Sequence, residues 1–143
     1  MEAKLIHEQH GQRTIAIVFD KGDEFMSQLK EFAKKQKLTG SQFTAIGAFS
    51  DVTLGFFDRQ TMEYKKIPLN EQVEVLSLMG NIALNQDEPK VHAHAVVGRA
   101  DGTTRGGHVL EARVWPTLEV IVVESPVHLQ RKTGLTLQKV HDC

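Results

Sequence analysis

The sequence predicts an α+β domain, a mostly antiparallel β-sheet carrying one main α-helix. Three observations support this. Apolar and β-branched runs recur from end to end, separated by Gly, Asp, Asn and Pro, as short strands joined by turns do. One clear segment changes to a helical period. The length of 143 residues suits a single domain, 1–143, with a core that needs no staples.

Residues 14–19 (Thr14 to Phe19) read as a first strand, closed by the turn-prone Asp20-Lys21-Gly22-Asp23. Phe25, Leu29, Phe32 and Ala33 then recur at helical spacing, which predicts a helix over 24–37. Asp23 and Glu24 suit its positive N-terminus, and Lys34, Lys35 and Lys37 suit its negative C-terminus. Gly40 is a stop signal. Strands follow over 43–49, 52–57 and 62–67, the last ending at Pro68, and then over 73–84. Asn85-Gln86-Asp87-Glu88-Pro89 is a polar loop before a strand from Val91. Val109-Leu110 continues after a turn, and a bend precedes 118–123. Val120-Ile121-Val122-Val123 does not alternate, which reads as a strand buried on both faces. The tail from Thr133 could add a short edge strand.

The chemistry concentrates in histidines. Val91-His92-Ala93-His94-Ala95-Val96-Val97 alternates, so both imidazoles leave one face, roughly 6.5–7 Å apart at Cα. Arg99-Ala100-Asp101-Gly102 breaks the run, and Asp-Gly is a strong turn signal. A three-residue loop 100–102 with Gly102 left-handed centres the register on Asp101. His94 then lies opposite His108, with His92 one same-face step away. A slip of one residue would turn His108 to the other face. Gly106-Gly107 beside His108 marks a bulge or a close backbone approach. Three imidazoles on one sheet face make an open transition-metal site. The other reading of a His pair at i and i+2 is two hydrogen-bonded surface side chains. His7, His10, His128 and His141 show no such convergence and read as solvated.

Composition excludes several classes. The single cysteine, Cys143, cannot form an intrachain disulfide, and with no signal-peptide pattern at the start the expected location is cytoplasmic. No run approaches the roughly 20 apolar residues of a membrane helix. The net charge of −1 lacks the basic surplus that sequence-independent DNA binding draws on.

The run Gly47-Ala48-Phe49-Ser50-Asp51-Val52-Thr53-Leu54-Gly55 resembles the opening strand pair of the PPC domain (plant and prokaryote conserved, also called DUF296). Val73 to Ile82, His92-Ala93-His94, Gly106-Gly107-His108-Val109 and Val120 to Glu124 follow in the family's order. The resemblance covers nearly the whole chain and implies an antiparallel α+β fold and a homotrimer. It also implies metal binding by His92, His94 and His108, with zinc as the ion or another divalent transition metal in its place. The plant members join this domain to an AT-hook; the Arg-Gly-Arg-Pro core of such a hook is absent here, so nucleic acid is not expected as a partner of this chain alone. The cupin barrel also carries a His-x-His strand, but Ala95-Val96-Val97-Gly98 stands where its glutamate belongs.

Two functional expectations compete. One is a non-enzymatic trimer binding metal and a small ligand or protein partner. The other is a hydrolase or lyase that uses the open zinc position to activate water. The catalytic residues of such an enzyme are unknown; Glu111, Arg113 and Glu124 are candidates by proximity in sequence only, with surface or strand-edge charges as the alternative. A DNA-associated regulator is a third class, resting on analogy.

Overall fold

The computed structural model describes residues 1–131 and 137–139. Two long strands organise it. In chain order the elements are β1 (Glu2–Gln9), β2 (Gln12–Phe19), α1 (Phe25–Gln36), β3 (Gly40–Asp58) and β4 (Glu63–Leu69). β5 (Val73–Asn85), β6 (Glu88–Gly98), β7 (Thr104–Glu124), β8 (Leu129–Arg131) and β9 (Leu137–Lys139) follow. The sheet runs β1-β2-β7-β3-β5-β8-β9, with β4 on β3 and β6 between β5 and β7. Pairing is antiparallel apart from one contact of β5 with β8.

β3 and β7 pair along almost their full length, from Ser41↔Glu124 to Gly55↔His108. The first part of β7 also pairs with β6, and β6 returns through β5 to the first part of β3. The strands β3, β5, β6 and β7 therefore close on one another. Closure needs bending, and the β3–β7 ladder shifts register at Gly47/Phe49, Phe49/Asp51 and Thr53/Leu54. Bulges of this kind bend a strand and sharpen its twist.

The helix seals the inner face. Phe25, Leu29, Phe32 and Ala33 are its buried positions, and Phe25 meets Phe19 and Phe43 edge-on at centroid distances of 5.5 and 6.2 Å. Each fully buried side chain of this size contributes roughly 1.5–3 kcal/mol. Glu24 is the N-cap: its carboxylate accepts from Ser27 N (2.7 Å) and Met26 N (3.4 Å). The same carboxylate accepts from Ala112 N at 3.0 Å, tying the helix start to β7. Lys37, at φ 54°, ends the helix in the left-handed conformation, ahead of Gly40.

Several expectations change. β1 is a strand of wholly exposed residues, joined to β2 by a turn at His10-Gly11 with both residues at positive φ. The stretches expected as separate strands on either side of Ser50 form the single strand β3, and β7 is likewise continuous. Pro68 lies inside β4, paired with Thr53. The four apolar residues 120–123 do alternate: Val120 and Val122 are buried, whereas Ile121 is 42% exposed. The core takes one face, and the other is left uncovered in the single chain. Of the tail, Leu137–Lys139 pairs with β8; Thr133, His141 and Cys143 lie outside the described residues. No helix among the described residues is long and apolar enough to cross a membrane.

Candidate metal centre

β6 alternates as its sequence requires. Ala93, Ala95 and Val97 enter the core, so His92 and His94 stand on the outer face. The turn after it is a three-residue loop. Gly102, at φ +81°, donates its N–H to Arg99 O (2.9 Å), and Arg99 N donates to Thr103 O (2.8 Å). Asp101 Oδ1 accepts from Thr103 N (2.9 Å) and Thr103 Oγ1 (2.6 Å), fastening the loop. The register that follows places Gly98 opposite Thr104 and His94 opposite His108.

All three imidazoles converge. One nitrogen of each lies within 4.8 Å of the others, and His92 Nε2 sits 3.1 Å from His94 Nε2. The His108 ring stacks on His92 at 4.6 Å and meets His94 edge-on at 4.3 Å. Two nitrogens on one tetrahedral zinc, each about 2.0–2.1 Å from it, stand roughly 3.3 Å apart. The His92–His94 pair thus already stands near the spacing of two zinc ligands, with a His108 nitrogen within 4.8 Å of both. Protonation fits as well. Burial, and then the charges of His108, Arg131, His94 and Lys90, push the His92 pKa down to about 4. Burial followed by His94 lowers that of His108. His92 is therefore neutral at pH 7, the form with a free lone pair.

His108 is located by backbone contact. A Cβ on Gly107 would come within 2.7 Å of Gly55 O, so the β3–β7 approach beside His108 depends on Gly107 lacking one. The Tyr64 hydroxyl, on β4, lies 2.9 Å from His108 Nε2. A phenol there can orient the ring, as partners behind metal ligands do, or join an ion that takes Nε2. A single row crosses the outer face through directly paired residues: Ala16, Ile121, Thr44, Met79, His94 and His108. Beside it lies a cavity of about 490 Å³ lined by residues including Phe43, Met79, Asn81, His92, His94 and Ile121.

The other candidates fall outside this cluster. Glu111 is exposed on β7. Arg113 donates to Gly22 O at 3.0 Å. Glu124 is buried, with its carboxylate accepting from Thr39 N, Gly40 N and Ser41 Oγ. None of the three lines the cavity. His7 and His10 are exposed in the first hairpin, and His128 is exposed against Thr39 Oγ1. Sequence reasoning missed Tyr64, Asn81 and Arg131. Tyr64 was accessible in principle, since the β3–β4 hairpin pairs it with Phe57 two residues from Gly55.

Residues 6–126 match the Plants and Prokaryotes Conserved (PCC) domain. The chain belongs to that family. Among solved members, a PPC protein from Pyrococcus horikoshii is 33% identical, with 85% of each chain covered and a TM-score of 0.81. A metal-containing protein from Archaeoglobus fulgidus is 29% identical, covering 93% of this chain and 90% of its own, with a TM-score of 0.79. A protein from Bacteroides thetaiotaomicron, provisionally named as DNA-binding, is 26% identical over 90% of this chain and 88% of its own, with a TM-score of 0.80. The PCC domain here is also 33% identical over 106 residues to the bifunctional protein GlmU of Synechococcus sp. (strain JA-3-3Ab), matching 73% of this chain. That match spans only 16% of the length of GlmU.

Proposed function

We propose that this PCC-domain protein is a non-enzymatic homotrimer that binds zinc through His92, His94 and His108 and offers the ion to a small ligand or protein partner. The observation behind this reading is the convergence of three imidazole nitrogens within 4.8 Å on an outer sheet face. A metal-containing relative of the same fold adds support. Three nitrogen ligands leave a zinc position open, and the cavity beside His92 and His94 gives a ligand room to reach it.

The trimer rests on the same face. Ile46, Leu76, Met79 and Ile121 are 60%, 54%, 59% and 42% exposed in the single chain. Apolar area of this kind is buried by association, most simply in a closed cyclic assembly. Because Met79 is paired with His94, burial of this face would bring the metal centre to a subunit boundary. A cytoplasmic location accords with the single cysteine.

The enzymatic alternative has one observation in its favour, the cavity beside an open ligand position. Its candidates for a general base, Glu111 and Glu124, and for an oxyanion binder, Arg113, all stand away from the cavity. One experiment tests the main reading: metal analysis of the purified protein together with its mass by light scattering. One zinc per chain and a threefold mass are expected, with zinc lost in His94→Ala. A stable monomer at micromolar concentration refutes the assembly, and undiminished zinc in His94→Ala refutes the site. Metal-dependent turnover of simple esters or phosphoesters would favour the enzyme.

A further inference from the structure

Arg131 is the unexplained group beside this centre. It ends β8, where Nη2 donates to Asn81 Oδ1 at 2.5 Å. Its Nε is closed off from solvent and has no hydrogen-bond partner among the described residues. The ion pairs among those residues belong to Met1, Lys34 and Arg99, so no carboxylate there neutralises it. Burial lowers its pKa, and no acidic group among the described residues opposes that. A partly desolvated guanidinium without a counter-charge is destabilising, unless an anion arrives to meet it.

Its position says where that anion would sit. Asn81 stands directly opposite His92 in the β5–β6 ladder. Asn81, His92 and His94 line one cavity together with Gln42, Thr44 and the apolar Phe43, Met79 and Ile121; Arg131 stands behind Asn81, bonded to it, rather than in the lining itself. Of the five N–H donors a guanidinium carries, the bond to Asn81 commits one. A planar fork with donors uncommitted among the described residues suits a carboxylate or a phosphate.

We propose that Arg131, held by Asn81 beside this cavity, is the oxyanion receptor next to the three histidines, and that the ligand of the PCC centre is a small molecule with a carboxylate or phosphate group. Its apolar part lies over Met79 and Ile121, and its oxyanion lies between Arg131 and the ion at the three histidines. This deepens the metal-binding reading and rests on it for the second of those contacts.

The test uses the full chain loaded with cobalt(II). Acetate and inorganic phosphate are titrated separately, followed by the visible cobalt bands and by calorimetry, in the parent protein and in Arg131→Met. At least one anion is expected to bind the parent, and the one that does identifies the group. Arg131→Met is expected to weaken that binding tenfold or more with cobalt stoichiometry unchanged. Should this variant unfold, Arg131→Gln supplies the same comparison. Equal anion affinity in parent and variant, or no binding of either anion to the parent, overturns the proposal. Failure of the parent to take up cobalt refutes the metal centre instead. Calorimetry of phosphate and acetate on the unloaded chain then decides the receptor: Arg131-dependent binding upholds it and its absence overturns it.

Discussion

Two adjacent glycines should respond very differently to the same substitution. A Cβ at Gly107 meets Gly55 O at 2.7 Å, where ordinary contact begins at 3.4 Å. Both groups are backbone, so no side chain can swing aside. β3 and β7 would have to part by about 0.7 Å beside the Gly55–His108 pair. Overpacking of this sort costs about 1–3 kcal/mol, and a value near 2 lowers Tm by about 4–8 °C for a chain this long. A Cβ at Gly106 meets Ala95 O at 3.4 Å and Val96 Cγ2 at 3.6 Å, both ordinary contacts. Gly106→Ala should therefore stay within about 0.5 kcal/mol of the parent. Thermal melts of the metal-free variants by circular dichroism read this difference directly. Zinc competition against a chelating dye reads its effect on the site. Ligand positions in metal sites tolerate about 0.2 Å, so Gly107→Ala should weaken zinc tenfold or more while Gly106→Ala leaves it unchanged. If the two variants melt together, the reasoning from the β3–β7 approach fails.

Tyr64→Phe removes the hydroxyl on His108, and loss of such a partner lowers metal affinity by about 10–100-fold; unchanged zinc affinity would show that the phenol has no part in the site. Glu24→Ala removes the helix cap and should destabilise by about 1–2 kcal/mol, measured by urea unfolding at pH 7. Burial raises the Glu24 pKa, but hydrogen bonds from Ser27, Ala112 and Met26 outweigh it and hold the carboxyl below its usual 4.5. Its ionised form therefore stabilises the fold above pH 4.5, and that contribution is lost as pH falls through the lower folded value. The gap between parent and Glu24→Ala should narrow on acidification below pH 4.5; a gap independent of pH contradicts the assignment. Duplex DNA should bind weakly at physiological salt, given a net charge of −1, and submicromolar, steeply salt-dependent binding would contradict that.

The parts of this molecule written in local patterns are those the sequence discloses. His92, His94 and His108 could be brought together on paper because the alternation of 91–97 and one Asp-Gly turn fix their register. Helix 24–37 was readable for the same reason, its apolar period and flanking charges being short-range signals. β1 was not, because none of its residues is buried and no apolar alternation marks it. Nor was the outer exposure of Ile121, since a run of branched residues looks alike whether one face or two are covered. Arg131 and Asn81 meet 50 residues apart, and only closure of the sheet brings them to the histidines.

The turn at Asp101-Gly102 separates two kinds of assembly in time. His94 and His108 meet across a hairpin, a contact that forms within about 1–10 μs. Ser41 and Glu124 are 83 residues apart in the chain and must find each other through a long closed loop, the kind of contact that slows folding. The imidazole cluster can therefore gather on an unfinished chain. An ion captured at that stage would act as a clip, holding β6 against β7 while the two long strands are still searching for their register.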